Sequence, residues 1–302
     1  MPNTRTDYLR FLQPETVSKL QSLELRARLV VEGFIIGLHR SPYHGFSVEF
    51  AEHRQYMPGD PLKNIDWKVF GKTDRYYVKE FEEETNLKCY IVLDCSASMN
   101  YASKKHVVKF DYARQLAASL AYLMLKQQDA VGLLTFDEKI RKFIPARMAR
   151  PHLNILLKEM DAAEASQKTD SASAFHELAE RITRRGLVVI ISDMLDDYDK
   201  LISGIKHFRH KKHEVIVFRI LDPSEQDFNF PSEARFKDME TGNIILTNPH
   251  QIKEAYKSQF EKFSEGLKLE SRNAKVDFNT FTTADNFDKA LFAYLARRSK
   301  LG

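Results

Sequence analysis

The chain has 302 residues, enough for one large α/β domain or two smaller ones with a substantial buried core. Its 46 basic and 42 acidic side chains leave a formal net charge of only +4, which gives no strong case for binding nucleic acid or an anionic membrane. The two cysteines, Cys89 and Cys95, fit neither a disulfide framework nor a zinc-ligand pattern, and they suit a reducing cytoplasm. The longest apolar stretch, 29–38, contains Glu32 and is far too short to span a bilayer. The sequence therefore predicts a soluble, cytoplasmic protein.

Residues 1–86 are predicted to form an N-terminal extension. Apolar residues recur at helical spacing between Val17 and Val30, which predicts a helix within 1–40. Residues 41–85 are rich in proline, glycine and aromatic side chains. That composition predicts short strands joined by tight loops.

From residue 87 the pattern changes to alternating strands and helices, which predicts a second unit over 87–302. The predicted strands lie at 87–94, 130–137, 139–146, 186–193, 214–222 and 275–281. The predicted helices lie at 109–128, 151–164, 171–185, 198–212, 249–272 and 285–298. A hairpin is expected to turn at 240–243, and Asp285 is expected to cap the last helix. Continuous apolar strands between helices predict an α/β fold with a mostly parallel sheet flanked by helices.

Oxygen-bearing side chains follow two of the most apolar predicted strands. In "IVLDCSASMN" (91–100), Asp94 ends a strand, and Ser96 and Ser98 follow at alternate positions. Asp193 ends another apolar strand, and Thr169 lies in a loop between two predicted helices. Ligands of parallel sheets bind beyond the carboxyl ends of the strands. We therefore expect these side chains to meet at one edge, although each could instead cap a helix or close a turn.

Three kinds of chemistry compete for this set of side chains. A nucleophilic aspartate of the phosphatase type usually has a second acid two residues later, where this chain has Ser96. A serine nucleophile would need a Gly-x-Ser-x-Gly turn, which the motif lacks. A hard divalent cation prefers hydroxyl and carboxylate oxygens, and either Mg²⁺ or Mn²⁺ would accept them. A cation site is favoured, and a metal-dependent hydrolase or phosphotransferase using Asp94 stays open as the alternative.

The residues and their order resemble a known family. The elements from 87 to 298, with Asp94-x-Ser96-x-Ser98, Thr169 and Asp193, resemble a von Willebrand factor A-like (Rossmann-like) domain with a metal-ion-dependent adhesion site, or MIDAS. The segments "EFAEHRQYMPGDPLKNIDWK" (49–68) and "DMETGN" (238–243) narrow the resemblance. They are similar to a bacterial family of uncharacterised proteins, DUF58, which is associated with MoxR-type AAA+ ATPases.

The resemblance implies a role for each site residue. Ser96, Ser98 and Thr169 would be hydroxyl ligands of Mg²⁺ or Mn²⁺, and Asp94 and Asp193 would act mainly through water. An acidic side chain of a client protein would fill the remaining corner of the cation. The implied function is a metal-dependent protein-binding module and not an enzyme. It would serve as an adaptor or co-chaperone of a MoxR-type ATPase in protein assembly or maturation, with neither nucleic acid nor a transmembrane segment involved.

Overall fold

The computed structural model describes residues 12–39, 53–56, 70–71, 74–79, 87–104, 106–165, 171–230, 234–239 and 242–299. Its strands are β1 (His53–Gln55), β2 (Tyr77–Lys79), β3 (Lys88–Asp94), β4 (Ala130–Phe136), β5 (Ile140–Arg147), β6 (Leu187–Ser192), β7 (Glu214–Leu221), β8 (Ala234–Lys237), β9 (Ile244–Thr247) and β10 (Asp277–Thr282). Its α-helices are α1 (Pro14–Val17), α2 (Leu23–His39), α3 (Lys109–Lys126), α4 (Arg150–Ala162), α5 (Ser171–Arg181), α6 (Tyr198–His210), α7 (Pro223–Asp227), α8 (Pro249–Asn273) and α9 (Phe287–Arg298).

A six-stranded sheet in the order β10-β7-β6-β3-β4-β5 forms the centre of the fold. The strands β10, β7, β6, β3 and β4 run parallel, and β5 pairs antiparallel with β4 at one edge. Crossover connections of parallel strands place helices on both faces, so β3, β4, β6 and β7 are buried along their whole length apart from the first residue of β3, β4 and β7. The predicted fold class, a mostly parallel sheet flanked by helices, is confirmed.

Each face of the sheet has its own apolar core. In β3, Ile91 and Leu93 face a cluster formed with α2, α3, α4 and α9, whereas Val92 faces a cluster formed with α5, α6 and α8. Successive strand residues point to opposite faces, so one strand supplies both cores. This double burial fixes the register of the strands and therefore the position of the residues at their carboxyl ends.

The N-terminal helix α2 belongs to the first of these two cores. The ring centroids of Phe34 in α2 and Phe292 in α9 lie 4.8 Å apart in an edge-to-face contact. The predicted helix over 1–40 is interrupted between α1 and α2, where serines compete for backbone hydrogen bonds: the Ser18 hydroxyl donates to the Glu15 carbonyl at 3.1 Å. Residues 1–11 lie outside the described part. The division at residues 86 and 87 stays a prediction.

Three local features differ from the sequence prediction. Asp285 does not cap the last helix, since Asn286 precedes α9 and the Asp285 carboxylate accepts the Thr282 N–H and hydroxyl at 2.8 Å. It closes the turn after β10 instead. The helix predicted over 171–185 ends at residue 181. The short helix α7 was not predicted, because its five residues are too few for a periodic apolar pattern.

The predicted short strands and hairpin are present in the described ranges. β1 and β2 pair antiparallel, with His53 opposite Lys79. β8 and β9 also pair antiparallel around the predicted turn, of which residues 240 and 241 are not described. Among the helices of the described part, none is long and apolar enough to cross a membrane.

Candidate metal centre

The carboxyl ends of two neighbouring parallel strands bring the predicted acids together. Asp94 is the last residue of β3, Asp193 directly follows β6, and these strands pair directly. Asp94 and Ser96 are fully buried, and Ser98 is half-buried just after them. The structure thus places four of the five predicted site residues at one edge of the sheet. Thr169, the fifth, lies outside the described residues.

The Asp94 carboxylate is held by hydrogen bonds from both sides. Its Oδ1 accepts the backbone N–H of Ser96 at 2.8 Å, and its Oδ2 accepts the hydroxyl of Ser192 at 2.6 Å. Burial, with the nearby charge of Asp193 adding to it, raises the pKa of Asp94 to about 7. Asp94 and Asp193 repel each other when both are ionised. A cation bound between them would therefore favour their charged forms.

The hydroxyl groups of Ser96 and Ser98 lie next to each other, with their Oγ atoms 3.0 Å apart. Mg²⁺ binds oxygen at about 2.1 Å in an octahedron, which puts adjacent ligands about 3.0 Å apart. The same separation also suits a hydrogen bond between the two hydroxyls. The pair can therefore exchange a mutual hydrogen bond for two adjacent corners of a cation without moving apart.

A buried lysine neutralises the second acid. Nζ of Lys109, the first residue of α3, lies 2.8 Å from Oδ2 of Asp193 and 2.7 Å from Oε1 of Glu225. Burial alone would lower the pKa of Lys109, but the charges of Asp193 and Glu225 outweigh it and raise the pKa above its usual value. Oδ1 of Asp193 accepts the N–H of Leu195 at 3.2 Å. Since both of its oxygens have protein partners, Asp193 is suited to act through water.

A buried arginine holds the backbone at the same point. Arg219, in the apolar strand β7, donates from Nε to the carbonyl oxygen of Asp193 at 3.0 Å and from Nη1 to Ser264 Oγ at 2.7 Å. Its guanidinium carbon lies 5.0 Å from the ring centroid of Phe260. Burial lowers the pKa of Arg219. The planar guanidinium of Arg219 thus links the Asp193 carbonyl to Ser264 on α8.

The charges at this edge leave room for a cation. Among the five charged groups described above, ionised Asp94, Asp193 and Glu225 exceed Lys109 and Arg219 by one negative charge, and buried Asp222, directly after β7, is a further acid at this edge. The described ranges hold no group of three or more histidine, cysteine, aspartate and glutamate side chains that could bind a metal by themselves. A cation here would thus depend on hydroxyl oxygens. The serine pair and the excess negative charge together fit a hard divalent ion.

Sequence reasoning did not identify Lys109, Arg219 or Glu225 as parts of this site. Two of them carry a signal that could have been used. Arg219 interrupts "EVIVFRIL", a strand otherwise apolar after its first residue, and Lys109 stands at the first position of a helix, where the dipole disfavours a cation. Each signal predicts a buried partner. Glu225 carries no comparable signal.

The sheet order, with its antiparallel edge strand and helices on both faces, defines a von Willebrand factor A-like fold. Residues 52–265 match the family described as "Protein of unknown function DUF58". The chain belongs to this family, as the motifs at 49–68 and 238–243 predicted.

Known relatives and solved structures resemble the chain over most of its length. The uncharacterised protein Rv1480 of Mycobacterium tuberculosis is 29% identical over 236 residues, covering 76% of this chain and 73% of the relative. The hypothetical protein BatB from Bacteroides thetaiotaomicron has a TM-score of 0.49 at 17% identity, covering 71% of this chain and 98% of that one. The SpRpn10 VWA domain has a TM-score of 0.41 at 10% identity, and the match covers 72% of this chain and 96% of that domain.

Proposed function

We propose that this chain is a metal-ion-dependent protein-binding module. In this proposal Ser96, Ser98 and Thr169 bind Mg²⁺ or Mn²⁺ directly, and Asp94 and Asp193 bind it through water. The observation that carries the proposal is the pair of serine hydroxyls 3.0 Å apart beside a buried acid whose pKa is raised to about 7. A cation at that point would satisfy the hydroxyl oxygens and relieve the repulsion between the acids.

The ligand set decides what such a cation would do. Hydroxyl ligands carry no charge, so the cation would keep much of its positive charge and could accept one further oxygen ligand. A carboxylate from a partner protein supplies that oxygen and gains a strong ionic contact. Binding would then depend on the metal and on an acidic side chain of the partner.

The proposal includes no bond-making step. Asp94 is fully buried, and each of its carboxylate oxygens accepts a hydrogen bond from a neighbouring residue. A nucleophile must instead reach its substrate with a free oxygen. This arrangement supports recognition over a hydrolase or phosphotransferase that uses Asp94.

We further propose that the partner is a MoxR-type AAA+ ATPase and that the chain acts in the cytoplasm. Its role would be that of an adaptor or co-chaperone in protein assembly or maturation. Membership of the DUF58 family supports this partner, because the family resemblance implies an association with MoxR-type ATPases. The acidic client side chain would occupy the metal, and the ATPase would contact another surface.

Thermal unfolding in Mg²⁺ or Mn²⁺ tests the metal site. A ligand at 100 times its Kd stabilises the folded state by about 2.7 kcal/mol, which raises the thermal midpoint of a chain of this size by roughly 5 °C. Ser98→Ala and Asp94→Asn should abolish the rise. Ser203→Ala, an exposed serine on α6, should retain it. An equal rise in all variants would place the cation elsewhere.

Affinity capture with a purified MoxR-type ATPase and an acidic client tests recognition. Binding of the client should weaken in chelator and in Ser98→Ala. The phosphatase activity of the chain alone, without the ATPase, should stay at background. Metal-dependent phosphate release that is lost in Asp94→Asn would instead establish the enzyme.

A further inference from the structure

A cavity of about 420 Å³ lies directly beside the candidate metal centre. Ser98 and Leu195, which is two residues after Asp193, both line it. The end of β8 and the residues that follow it contribute Phe236, Lys237, Asp238 and Met239 to the lining. The cavity and the proposed cation site therefore share Ser98.

Aromatic rings form one wall of contacting side chains in the lining. Phe228 stacks on Tyr256 with their centroids 4.2 Å apart and on Phe236 at 5.6 Å. Phe230 meets Phe236 edge-to-face at 5.0 Å. Interlocked rings of this kind form a preorganised apolar surface that suits another large apolar side chain.

The cavity and the metal centre share a charged connection. Glu225 lines the cavity, and its carboxylate accepts a hydrogen bond from the ammonium group of Lys109. The same ammonium group pairs with Asp193. The hydroxyl of Tyr256 donates to the carbonyl oxygen of Glu225 at 2.8 Å. The aromatic wall is thus fixed to α7, whose Glu225 also pairs with the lysine that neutralises Asp193.

Apolar surface continues outside the cavity. Leu195 is 37% exposed, Met239 is 43% exposed and Ile245 is 65% exposed. Ile245 pairs with Phe236 across the hairpin, so both side chains lie on the same face of it. Large apolar side chains clustered beside a polar site are typical of a surface that binds another protein.

We propose that the partner segment that gives its carboxylate to the metal also inserts a large apolar side chain into this cavity. The inference depends on the proposed function and specifies the kind of segment that the site selects. A protein segment fits better than a small molecule, because the exposed apolar surface extends from the cavity along the hairpin. An acidic residue near an aromatic or long aliphatic one meets the cation and the ring wall together.

Selection from a random heptapeptide library displayed on phage tests this directly. The full chain is immobilised in Mg²⁺, and bound phage are eluted with chelator. The expected sequences carry both Asp or Glu and one of Phe, Tyr, Trp, Leu or Met. Enrichment of acidic residues with no apolar preference overturns this inference and leaves the proposed function standing. A failure to enrich acidic residues overturns both.

A double variant and a control at another exposed methionine extend the test to the selected peptides. Met239→Ser combined with Ile245→Ser should weaken binding about tenfold, since part of one apolar side chain stays in water. Met148→Ser, at an exposed methionine that does not line this cavity, should leave the affinity unchanged. Unaltered thermal midpoints establish that all variants are folded. Equal affinity in the double variant and the control overturns the inference.

Discussion

Nζ of Lys109 lies 2.8 Å from Oδ2 of Asp193, and both side chains are buried at the carboxyl edge of the sheet. A lysine at the first position of a helix is opposed by the helix dipole. Asp193 and Glu225 overcome that cost together, and their contacts join the start of α3 to β6 and α7. Lys109 therefore supplies a permanent positive charge beside the proposed binding site of the divalent cation.

Replacing Lys109 by methionine should strongly destabilise the chain. The variant keeps most of the length of the side chain but leaves Asp193 and Glu225 buried without their cation. Removing one partner of a buried ion pair costs about 3–5 kcal/mol. The free energy of unfolding in urea measures the loss.

Lys126→Met is the matched control for that prediction. Lys126 is an exposed lysine in the last turn of the same helix, where a cation interacts favourably with the dipole. Its loss should cost less than about 1 kcal/mol. Similar losses in the two variants would mean that the buried contacts of Lys109 contribute little.

Arg219→Lys should destabilise the chain by about 2 kcal/mol although it keeps the positive charge. Lysine cannot donate to the Asp193 carbonyl and Ser264 in one plane, nor stack its head group on Phe260. A hydrogen bond from a charged group contributes about 1.5–3 kcal/mol. Arg235→Lys, at an exposed position of β8, should change the unfolding free energy by less than about 0.5 kcal/mol. Equal stability of Arg219→Lys and the unsubstituted chain would contradict this account.

The sheet was predictable because its strands are buried on both faces. A run such as Val188 to Ile191, apolar at every position, fits few structures other than a strand buried on both faces. Alternation of such strands with helices requires parallel neighbours. The ends of helices were less predictable. Asp285 has the residue type of a cap, and only the path of the chain after β10 decides that it bonds Thr282 instead.

The candidate site was predictable in part for the same reason. Asp94 and Asp193 end neighbouring strands, so strand order alone places them together. Lys109 and Glu225 are separated by 116 residues, and their meeting depends on how α3 and α7 pack. Sequence patterns describe local structure and sheet topology, but they do not describe which charged side chains pair between packed elements.

The stability contributed by Glu214 should depend on pH. Oε2 of Glu214 accepts a hydrogen bond from Nη1 of Arg209 at 2.7 Å. The Glu214 carboxylate also pairs with Arg297 and Arg185. Burial alone would raise the pKa of Glu214, but the arginine charges outweigh it and hold the pKa below its ordinary value of 4.5. A lowered pKa in the folded state stabilises the protein above pH 4.5, and this stabilisation is lost as the pH falls through the folded-state pKa.

Glu214→Gln should therefore lower the unfolding free energy by about 1 kcal/mol at pH 7, a modest value because water reaches the surrounding arginines. The difference from the unsubstituted chain should shrink as the pH falls below about 4. Chemical denaturation between pH 3 and about 7 measures it. Glu254→Gln, at an exposed position of α8, should show no such pH dependence. A difference between Glu214→Gln and the unsubstituted chain that grows at low pH would reverse the sign argued here.

Phe228→Gly should destabilise the hairpin although it removes backbone strain. Phe228 has φ of 47° at the end of α7, a left-handed conformation that costs a non-glycine residue about 1–2 kcal/mol. Its buried ring stacks on Tyr256 and Phe236, and removing a buried phenylalanine costs about 3–5 kcal/mol. The net loss should be about 2 kcal/mol, with faster hydrogen exchange in β8 and β9. Lys212 has φ of 64° on an exposed turn, so Lys212→Gly should stabilise the chain slightly. Stabilisation by both glycine variants would show that the ring contributes less than its backbone strain costs.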